Sequence, residues 1–492
     1  MDELFLVGCL SLAAILLLSL LVDRTSSTKE TGARARLPPG PWNLPVIGSL
    51  HHLVGAPPHR ALLRLARLHG PVMLLRLGEV PAVVVSSPEA AAEVMKANDP
   101  VFASRPRGAT ADVVGFGGKG LIFAPYGEHW RQMRKVCVVE LLSARQVRRM
   151  ERIRQAEAAT AMAASPSADA VINLSQGLTA LTNNVVARAA FGGECRQQQA
   201  YLREIEVVAT LAAGFNLPDL FPSSRLARRS HARVERIIAG IVQEHMEKRS
   251  TSHVFVGADD EDLLDVLLRL QEEGSLAFPI TTEIIGAVIS DIFGAATDTT
   301  ASTIEWAMAE LIRNPQAMSR ATYEVRQKLG QGRVSITNAD LGDLHYLRMV
   351  IKETLRLRPP APLILRASQD NCQIMGYDIP KGSSVFINTF AVARDPKYWD
   401  KPEEFMPERF ESSTADYRWT HSEFIPFGAG RRQCPGALFA TTTIELTLAN
   451  LLYHFDWALP AGEDPKALDM SEVFGITVRR RANLCMRAHL VH

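Results

Sequence analysis

The longest uninterrupted apolar run lies at the start of the chain, where no charged residue interrupts Leu4 to Val22. A helix of that length rises about 28 Å, close to the roughly 30 Å hydrocarbon core of a bilayer. Asp2 and Glu3 precede the run, and Arg24, Lys29, Arg34 and Arg36 come after it. A secretory leader carries its positive charge before the apolar run, the reverse of this order. The pattern predicts a single transmembrane anchor over 1–24, with everything after Val22 on the cytosolic side by positive-inside bias. Further on, Val72 to Leu77 and Ala82 to Ser86 are β-branched apolar runs separated by Gly78-Glu79-Val80-Pro81, which predicts a hairpin. Ser87 and Pro88 then read as the N-cap and first residue of a helix. From Thr281 to Asn314 the pattern is helical and apolar around most of the circumference, with Glu283 near its start and Pro315 just beyond its end. Such a helix runs roughly 50 Å through the body of a protein instead of over its surface.

Between these elements, proline and glycine set the divisions. Leu37 to Leu50 holds four prolines and two glycines, cannot continue an anchor helix, and reads as a stiff extended connection within a basic, Pro-rich linker over 25–50. No Gly/Ser linker or internal repeat divides 51–492, which reads as one catalytic domain. Residues 96–127 read as a long loop, and long loops inside compact domains are usually functional. That loop contains Gly115 to Gly120, a formal G-x-G-x-x-G. A dinucleotide site needs a strand before the glycines and a helix starting on them, and neither pattern is present. Residues 141–275 alternate helical charge patterns with polar breaks; the run Arg225 to Arg229 suits a solvated face, and Phe215, Leu217 and Phe221 suit core, pocket or bilayer contact alike.

Composition narrows the partners. Lys+Arg of 54 against Asp+Glu of 53 leaves no field to attract nucleic acid, and no basic stripe with interleaved aromatics is present. Cysteines at 9, 137, 195, 372, 434 and 485 form neither a disulfide framework nor a zinc spacing. Five of them read as small buried hydrophobes. Cys434 differs, because Gly428, Gly430 and Gly436 surround it and Arg431 and Arg432 precede it. A thiolate that binds a metal as the single protein ligand needs backbone N–H groups aimed at the sulfur, and glycines let the chain curl closely enough to supply them. Cys434 is therefore the candidate axial ligand to a haem iron.

The string Phe427 to Gly436, through Phe427, Gly430, Arg432, Cys434 and Gly436, resembles the haem-binding signature of the cytochrome P450 family. Further matches extend to Phe474, and segments such as LPPGPWNLPVIGSL, FAPYGEHWRQMRK and FMPERF resemble the plant microsomal (A-type) branch. The resemblance implies a mainly α fold with small β-sheets and a single N-terminal transmembrane helix in the endoplasmic reticulum membrane. It also implies haem b (iron protoporphyrin IX) as cofactor, and oxidation by O2 with NADPH-derived electrons from NADPH-cytochrome P450 reductase.

Several residues take roles by that resemblance. Asp298 and Thr299, in the middle of the 281–314 helix, match the family's proton-delivering acid and alcohol; small residues there admit a planar cofactor, and the threonine hydroxyls can bond back to carbonyls. The family more often has glycine where Ala296 stands. Glu353 and Arg356 share a helical face and, with Arg409 of the Pro407–Phe410 segment, match a buried structural triad. Trp130, Arg134, Arg366 and Arg432 match residues that reach the haem propionates, guanidinium groups being suited to carboxylates. Arg358 stands where histidine is usual. Lys135, Arg131 and Arg431 match a reductase-docking face. Ile292, Ala295, Ala361, Leu363 and Phe474 match pocket positions and suit an apolar small molecule, first a terpenoid, with phenylpropanoids, fatty acids and oximes open. The rival readings are a haem-thiolate isomerase or dehydratase needing no reductase, and a non-catalytic membrane-anchored haem or lipid carrier.

Cytosolic placement has a direct consequence for Asn173-Leu174-Ser175, a formal glycosylation sequon. Asn173 is expected to carry no glycan when the protein is isolated from a plant host, and a glycopeptide at that position in a tryptic mass map would overturn the topology.

Overall fold

The computed structural model describes residues 35–163, 171–193, 215–223, 232–251, 261–333, 335–417, 421–460 and 462–491. The predicted anchor and the 225–229 charge run lie outside them. No helix among the described residues is long and apolar enough to cross a membrane. The described chain is mainly helical with small sheets, as expected.

The elements that position the site begin with α1 (Pro58–His69), the hairpin β1 (Val72–Leu77) and β2 (Val80–Val85), and α2 (Pro88–Ala92). Next come α3 (Ala109–Val114), α4 (Glu128–Lys135), α5 (Glu151–Ala163), β3 (Val171–Asn173), α6 (Leu174–Phe191) and α7 (Leu217–Leu220). The second half brings α8 (Ala232–Thr251), α9 (Leu263–Glu273), α10 (Thr282–Arg313), α11 (Pro315–Leu329) and α12 (His345–Leu357). It closes with β4 (Leu363–Ala367), β5 (Cys372–Ile374), β6 (Tyr377–Ile379), β7 (Ser384–Asn388), α13 (Ala437–His454), β8 (Phe455–Ala458), β9 (Glu472–Val473), β10 (Arg479–Arg480) and β11 (Cys485–Leu490).

The main sheet has the order β1-β2-β7-β4, with β2 and β7 parallel and the other pairs antiparallel. The hairpin forms where expected, but its turn shrinks to Gly78-Glu79, Gly78 taking φ +63°, and Val80 and Pro81 join β2. Pro81 is tolerated there because pairing with β7 starts only at Ala82, so its missing N–H breaks no ladder. Ser87 caps α2 by accepting from Ala90 N–H, with Pro88 as first helical residue. The Pro-rich segment is not a free spacer. Pro39 accepts from Leu74 N–H at 2.8 Å, and a Cβ on Gly40 would stand 1.9 Å from the Leu74 carbonyl oxygen, so the segment lies flat on β1.

The stretch 96–127 departs from a plain loop by holding α3 and a 3-10 turn at Phe116–Gly118. Gly115 to Gly120 run from the C-terminal cap of α3 through that turn, with no strand before them and no α-helix starting on them. Phe215 packs on Phe386 and Phe221 lies against the same apolar cluster, while Leu217 is exposed.

The long helix α10 is the axis of the fold. Thr281 Oγ1 caps it by accepting from Ile284 N–H at 3.3 Å, and its 32 residues span about 48 Å. Its first half packs Ile285, Val288, Ile289 and Phe293 into one core cluster, and its second half packs Ile304, Met308 and Leu311 into another. The small and hydroxyl residues Gly294 to Thr300 fall between them.

The triad read from the sequence is assembled. Glu353 and Arg356 are 0 % exposed, Arg356 grips both carboxylate oxygens at 2.7 and 2.8 Å, and Arg409 Nε reaches Glu353 Oε1 at 3.0 Å. The remaining guanidinium donors go to carbonyls of Ala393, Pro402, Glu404 and Asp400, which ties α12 to the chain leading into the Cys434 segment. Arg358 has its own partner: its Nε donates to buried Glu310 of α10 at 2.9 Å, and its guanidinium stacks over Trp306.

Removing one member of a buried ion pair strands the other at a cost of roughly 3 to 5 kcal/mol. Glu353→Ala is therefore expected to yield little soluble, cofactor-loaded protein. Normal yield and normal cofactor content, read from the absorbance ratio of cofactor to protein, would remove the triad from this role.

Candidate functional site

The residues from Phe427 to Gly436 form a tight cradle between the sheet and α13. Gly428 and Gly430 take φ of +67° and +68°, and a Cβ on Gly430 would stand 2.4 Å from the Met95 carbonyl oxygen. Only glycine fits there without strain. Asp99 accepts from Arg431 N–H at 3.0 Å and from its guanidinium at 2.8 Å, and Cys434 N–H donates to Phe427 O at 2.9 Å. These bonds fix the cradle, and the Cys434 sulfur lies open at its centre.

That opening is internal. Cys434 faces a cavity of about 460 Å³, lined also by Trp130, Arg134, Ile292, Ala295, Ala296, Thr299, Ala361, Leu363, Arg366, Phe427, Arg432 and Gly436. Its side chain has free surface, yet that surface meets only the cavity deep inside the protein. Desolvation accordingly raises the thiol pKa, while the Gly436 backbone N–H and the charge of Arg134 pull it down. Both of those pulls favour a thiolate.

The electrostatics of the wall are unusual. Arg105, Arg134, Arg366 and Arg432 all line the same cavity. Arg432 donates to the carbonyls of Ala103 at 2.6 Å, of Leu121 and Ile122 at 3.1 Å, and of Ala124. Arg105 donates to Ile122 O at 3.1 Å and to Leu365 O. Arg366 is 1 % exposed; its Nη2 reaches Ala429 O at 3.3 Å, and its Nη1 is buried with no partner among the described residues. Burial, then repulsion from Arg105 and Arg432, lowers the Arg366 pKa well below its usual value. Because guanidinium keeps its proton in proteins, this strain is positive charge awaiting an anion.

A haem fits these features. Its two carboxylates would meet the guanidinium cluster, the unpartnered Nη1 of Arg366 included, and its iron would face the one sulfur on the cavity wall that is flanked by glycines. The buried acid on this wall does not neutralise the cluster. Asp291 is turned to the backbone, with Oδ2 accepting from Leu121 and Ile122 N–H at 2.5 and 3.0 Å. Burial pushes its carboxyl up to about 6, against the pull of those amides and of Arg432 and Arg105.

On the same cavity wall, α10 contributes Thr299, whose Oγ1 donates to Ala295 O at 2.7 Å, with Thr303 repeating the bond to Thr299 O. This is the back-bonding expected of hydroxyls in mid-helix. Two of the predicted residues stand elsewhere. Asp298 is on the same turn as Thr299 but off the cavity wall. Phe474 also leaves the wall: its ring stacks on His59 and meets Phe215 edge-on, and Ile476 and Thr477 of the same β9–β10 turn line the cavity instead. Trp130 is on the wall, but its indole N–H donates to Leu121 O at 3.1 Å, and Arg432 stacks over its ring. Sequence reasoning missed Arg105 and Asp291. The Arg105-Pro106-Arg107 cluster at the head of the 96–127 stretch, and an acid within an apolar helix, were the available signals.

The likeness to known proteins extends along most of the chain. The family model "Cytochrome P450" matches residues 38–486. Desmethyl-deoxy-podophyllotoxin synthase of Sinopodophyllum hexandrum is 44% identical over 490 residues, covering 97% of this chain and 96% of that protein. Ent-isokaurene C2/C3-hydroxylase of Oryza sativa subsp. japonica is 45% identical over 514 residues, covering 99% of each. A solved zebrafish cytochrome P450 with abiraterone superposes with a TM-score of 0.74 at 26% identity, over 89% of this chain and 99% of its own.

Arg366→Met separates the two sides of the charge argument. Without cofactor, the variant is expected to be no less stable than the parent by more than about 1 kcal/mol, because it loses an under-bonded buried charge. Its haem should transfer to apomyoglobin at least about tenfold faster, a loss of roughly 1.4 kcal/mol in holding the anion. Unchanged transfer would detach Arg366 from the cofactor.

Proposed function

The chain belongs to the cytochrome P450 family and is a P450 monooxygenase, and on that premise we propose that it oxidises an apolar plant terpenoid with Cys434 as the axial ligand of haem. The observation that carries the reading is that Cys434 and Thr299 line one cavity whose wall also carries aliphatic side chains and four arginines, Arg105, Arg134, Arg366 and Arg432.

When bound, haem supplies the binding and activation of dioxygen, and a thiolate ligand favours O–O cleavage. The residues of this chain do the rest. Desolvation raises the Cys434 thiol pKa, while Gly436 N–H and Arg134 favour the anionic sulfur against it, and a bound iron would supply the remaining pull. Arg134, Arg366 and Arg432, joined by Arg105, would hold the propionates. Trp130 contributes by holding the Leu121 carbonyl and the Arg432 guanidinium in place. Thr299 Oγ1, anchored on Ala295 O, keeps its lone pairs toward the cavity and passes protons inward, and Asp298 on the same turn feeds it. Ile292, Ala295, Ala361, Leu363 and Ile476 hold an apolar substrate and exclude water.

The substrate class is drawn from the aliphatic wall and from the rice relative, whose name gives hydroxylation of an isokaurene. Electrons come from NADPH through a membrane-anchored flavoprotein reductase, with exposed Arg131, Lys135 and Arg431 on the docking face. The apolar run before Val22 anchors the catalytic domain on the cytosolic side of the endoplasmic reticulum.

The test uses the full chain in microsomes with NADPH and reductase against a panel of sesquiterpene and diterpene olefins. The expected product is heavier by one oxygen atom, drawn from labelled O2, and Cys434→Ser should abolish both this and the red-shifted Soret band of the reduced carbon monoxide complex. Conversion without NADPH would favour the isomerase reading. The thiolate band with no turnover of any olefin would set the terpenoid assignment aside.

A further inference from the structure

Three segments far apart in sequence meet on one part of the cavity wall: the β1–β2 turn, α3, and the short stretch 215–223 that carries α7. Leu77, Val80, Gly108, Thr110, Asp219 and Leu220 all face the cavity there. Phe215, Leu220 and Phe221 share an apolar cluster with β1 and β2, and a small set of polar bonds completes the junction of the three segments. Asp219 Oδ1 accepts from Thr110 N–H at 3.0 Å. Thr110 lies in the first turn of α3, where backbone N–H groups have no partner within the helix, and the α3 N-cap, Gly108, has no side chain to provide one. Asp219 therefore caps α3 from another element. The fit is close: a Cβ on Gly108 would stand 2.7 Å from Asp219 Oδ1. Asn216 Nδ2 supports the arrangement, reaching Thr110 Oγ1 and Asp219 Oδ2 at 3.4 Å each. On the far side, Glu79 N–H donates to Leu220 O at 2.9 Å, and the Glu79 carboxylate accepts from Ser223 N–H at 3.0 Å.

We infer that Asp219 is a positioning residue that closes the substrate chamber, acting as the cap of α3 supplied at the cavity wall by the 215–223 stretch. The two segments it joins meet the cavity but are separated by more than a hundred residues, so the cap is what makes them move as one wall. Glu79 fixes the same stretch to the rigid hairpin, so Asp219 is the joint between a fixed side and a side that rests on a six-residue helix. Loss of the joint frees α3 and opens the chamber to water and to ligand exchange. The inference rests on the cavity being the substrate chamber proposed above.

The experiment uses the haem-loaded full chain with Asp219→Ala, Asp219→Asn and Gly108→Ala. Hydrogen–deuterium exchange over residues 109–114 reports the cap itself. The dissociation rate of clotrimazole, an apolar azole tracked by the Soret shift, reports the closure of the chamber. Asp219→Ala is expected to raise both by about fivefold or more, the effect of losing one such bond. Asp219→Asn keeps a carbonyl oxygen for Thr110 N–H and should remain within about twofold of the parent. Gly108→Ala, whose methyl displaces the carboxylate, should match Asp219→Ala and add nothing to it in the double variant. Unchanged exchange in Asp219→Ala overturns the proposal. So does an Asn variant that behaves like Ala, since charge and not capping would then be at work, and so does altered exchange with unaltered azole dissociation. If the parent shows no azole shift, the haem reading fails first and takes this proposal with it.

Discussion

Uncompensated positive charge around one cavity is the constraint on which this structure depends. Arg105, Arg366 and Arg432 spend their described bonds on carbonyl oxygens, and those carbonyls come from residues 103, 121, 122, 124, 365 and 429. Each guanidinium thus stitches the 96–127 stretch, β4 and the Cys434 cradle into one wall. Like charges gathered in a partly desolvated wall repel one another, which adds to burial in lowering the Arg366 pKa, and an anion entering the cavity would relieve that repulsion. The same residues that shape the site therefore make its stability conditional on a dianionic cofactor.

The long helix α10 solves a second problem created by the first, that of passing a straight element through a core whose centre must stay open. Its ends are packed in separate apolar clusters, and the seam between them is made mostly of residues with little side-chain volume and of threonines, of which Thr299 bonds back to its own helix. Burial at both ends holds the helix firmly enough for its middle to remain under-packed. The Arg358–Glu310 pair belongs to this support. Arginine where the family usually has histidine matches an acid on α10, and the cation reaches it while lying over Trp306. Arg358 thus finds its acid on an element 48 positions away in sequence.

The features legible before the structure share one physical property: they are local, or they consist of residue types with few alternative uses. Glycines around Cys434, the spacing of Glu353 and Arg356, and the caps of α2 and α10 all depend on neighbours within a few residues. Phe474 was misplaced relative to the cavity because which side of a turn faces inward depends on register. In the β9–β10 turn, His59 and Phe215 draw Phe474 outward and leave Ile476 and Thr477 inside. Arg105 and Asp291 were missed because each matters through residues more than a hundred positions away. The hairpin turn was read too long because Pro81 resembles a breaker until the absence of a β7 partner opposite it is known.

The two ends of the cavity are held by bonds of different strength, and this difference bears on how the protein works. At the cofactor end the bonds are charge-assisted and buried or part-buried; Arg432 makes four and Arg105 two, and stranding such a charge costs several kcal/mol. Around Asp219 and Glu79 the bonds are to neutral backbone N–H, hydroxyl and amide groups of part-buried or exposed residues, each contributing about 1 kcal/mol net. Thermal opening of a structure starts where few such bonds must break together. A chamber that holds its cofactor permanently but must admit and release a substrate at each turnover requires this gradient, and the chain provides it by placing its arginines at one end and its short-reach acids, Asp219 and Glu79, at the other.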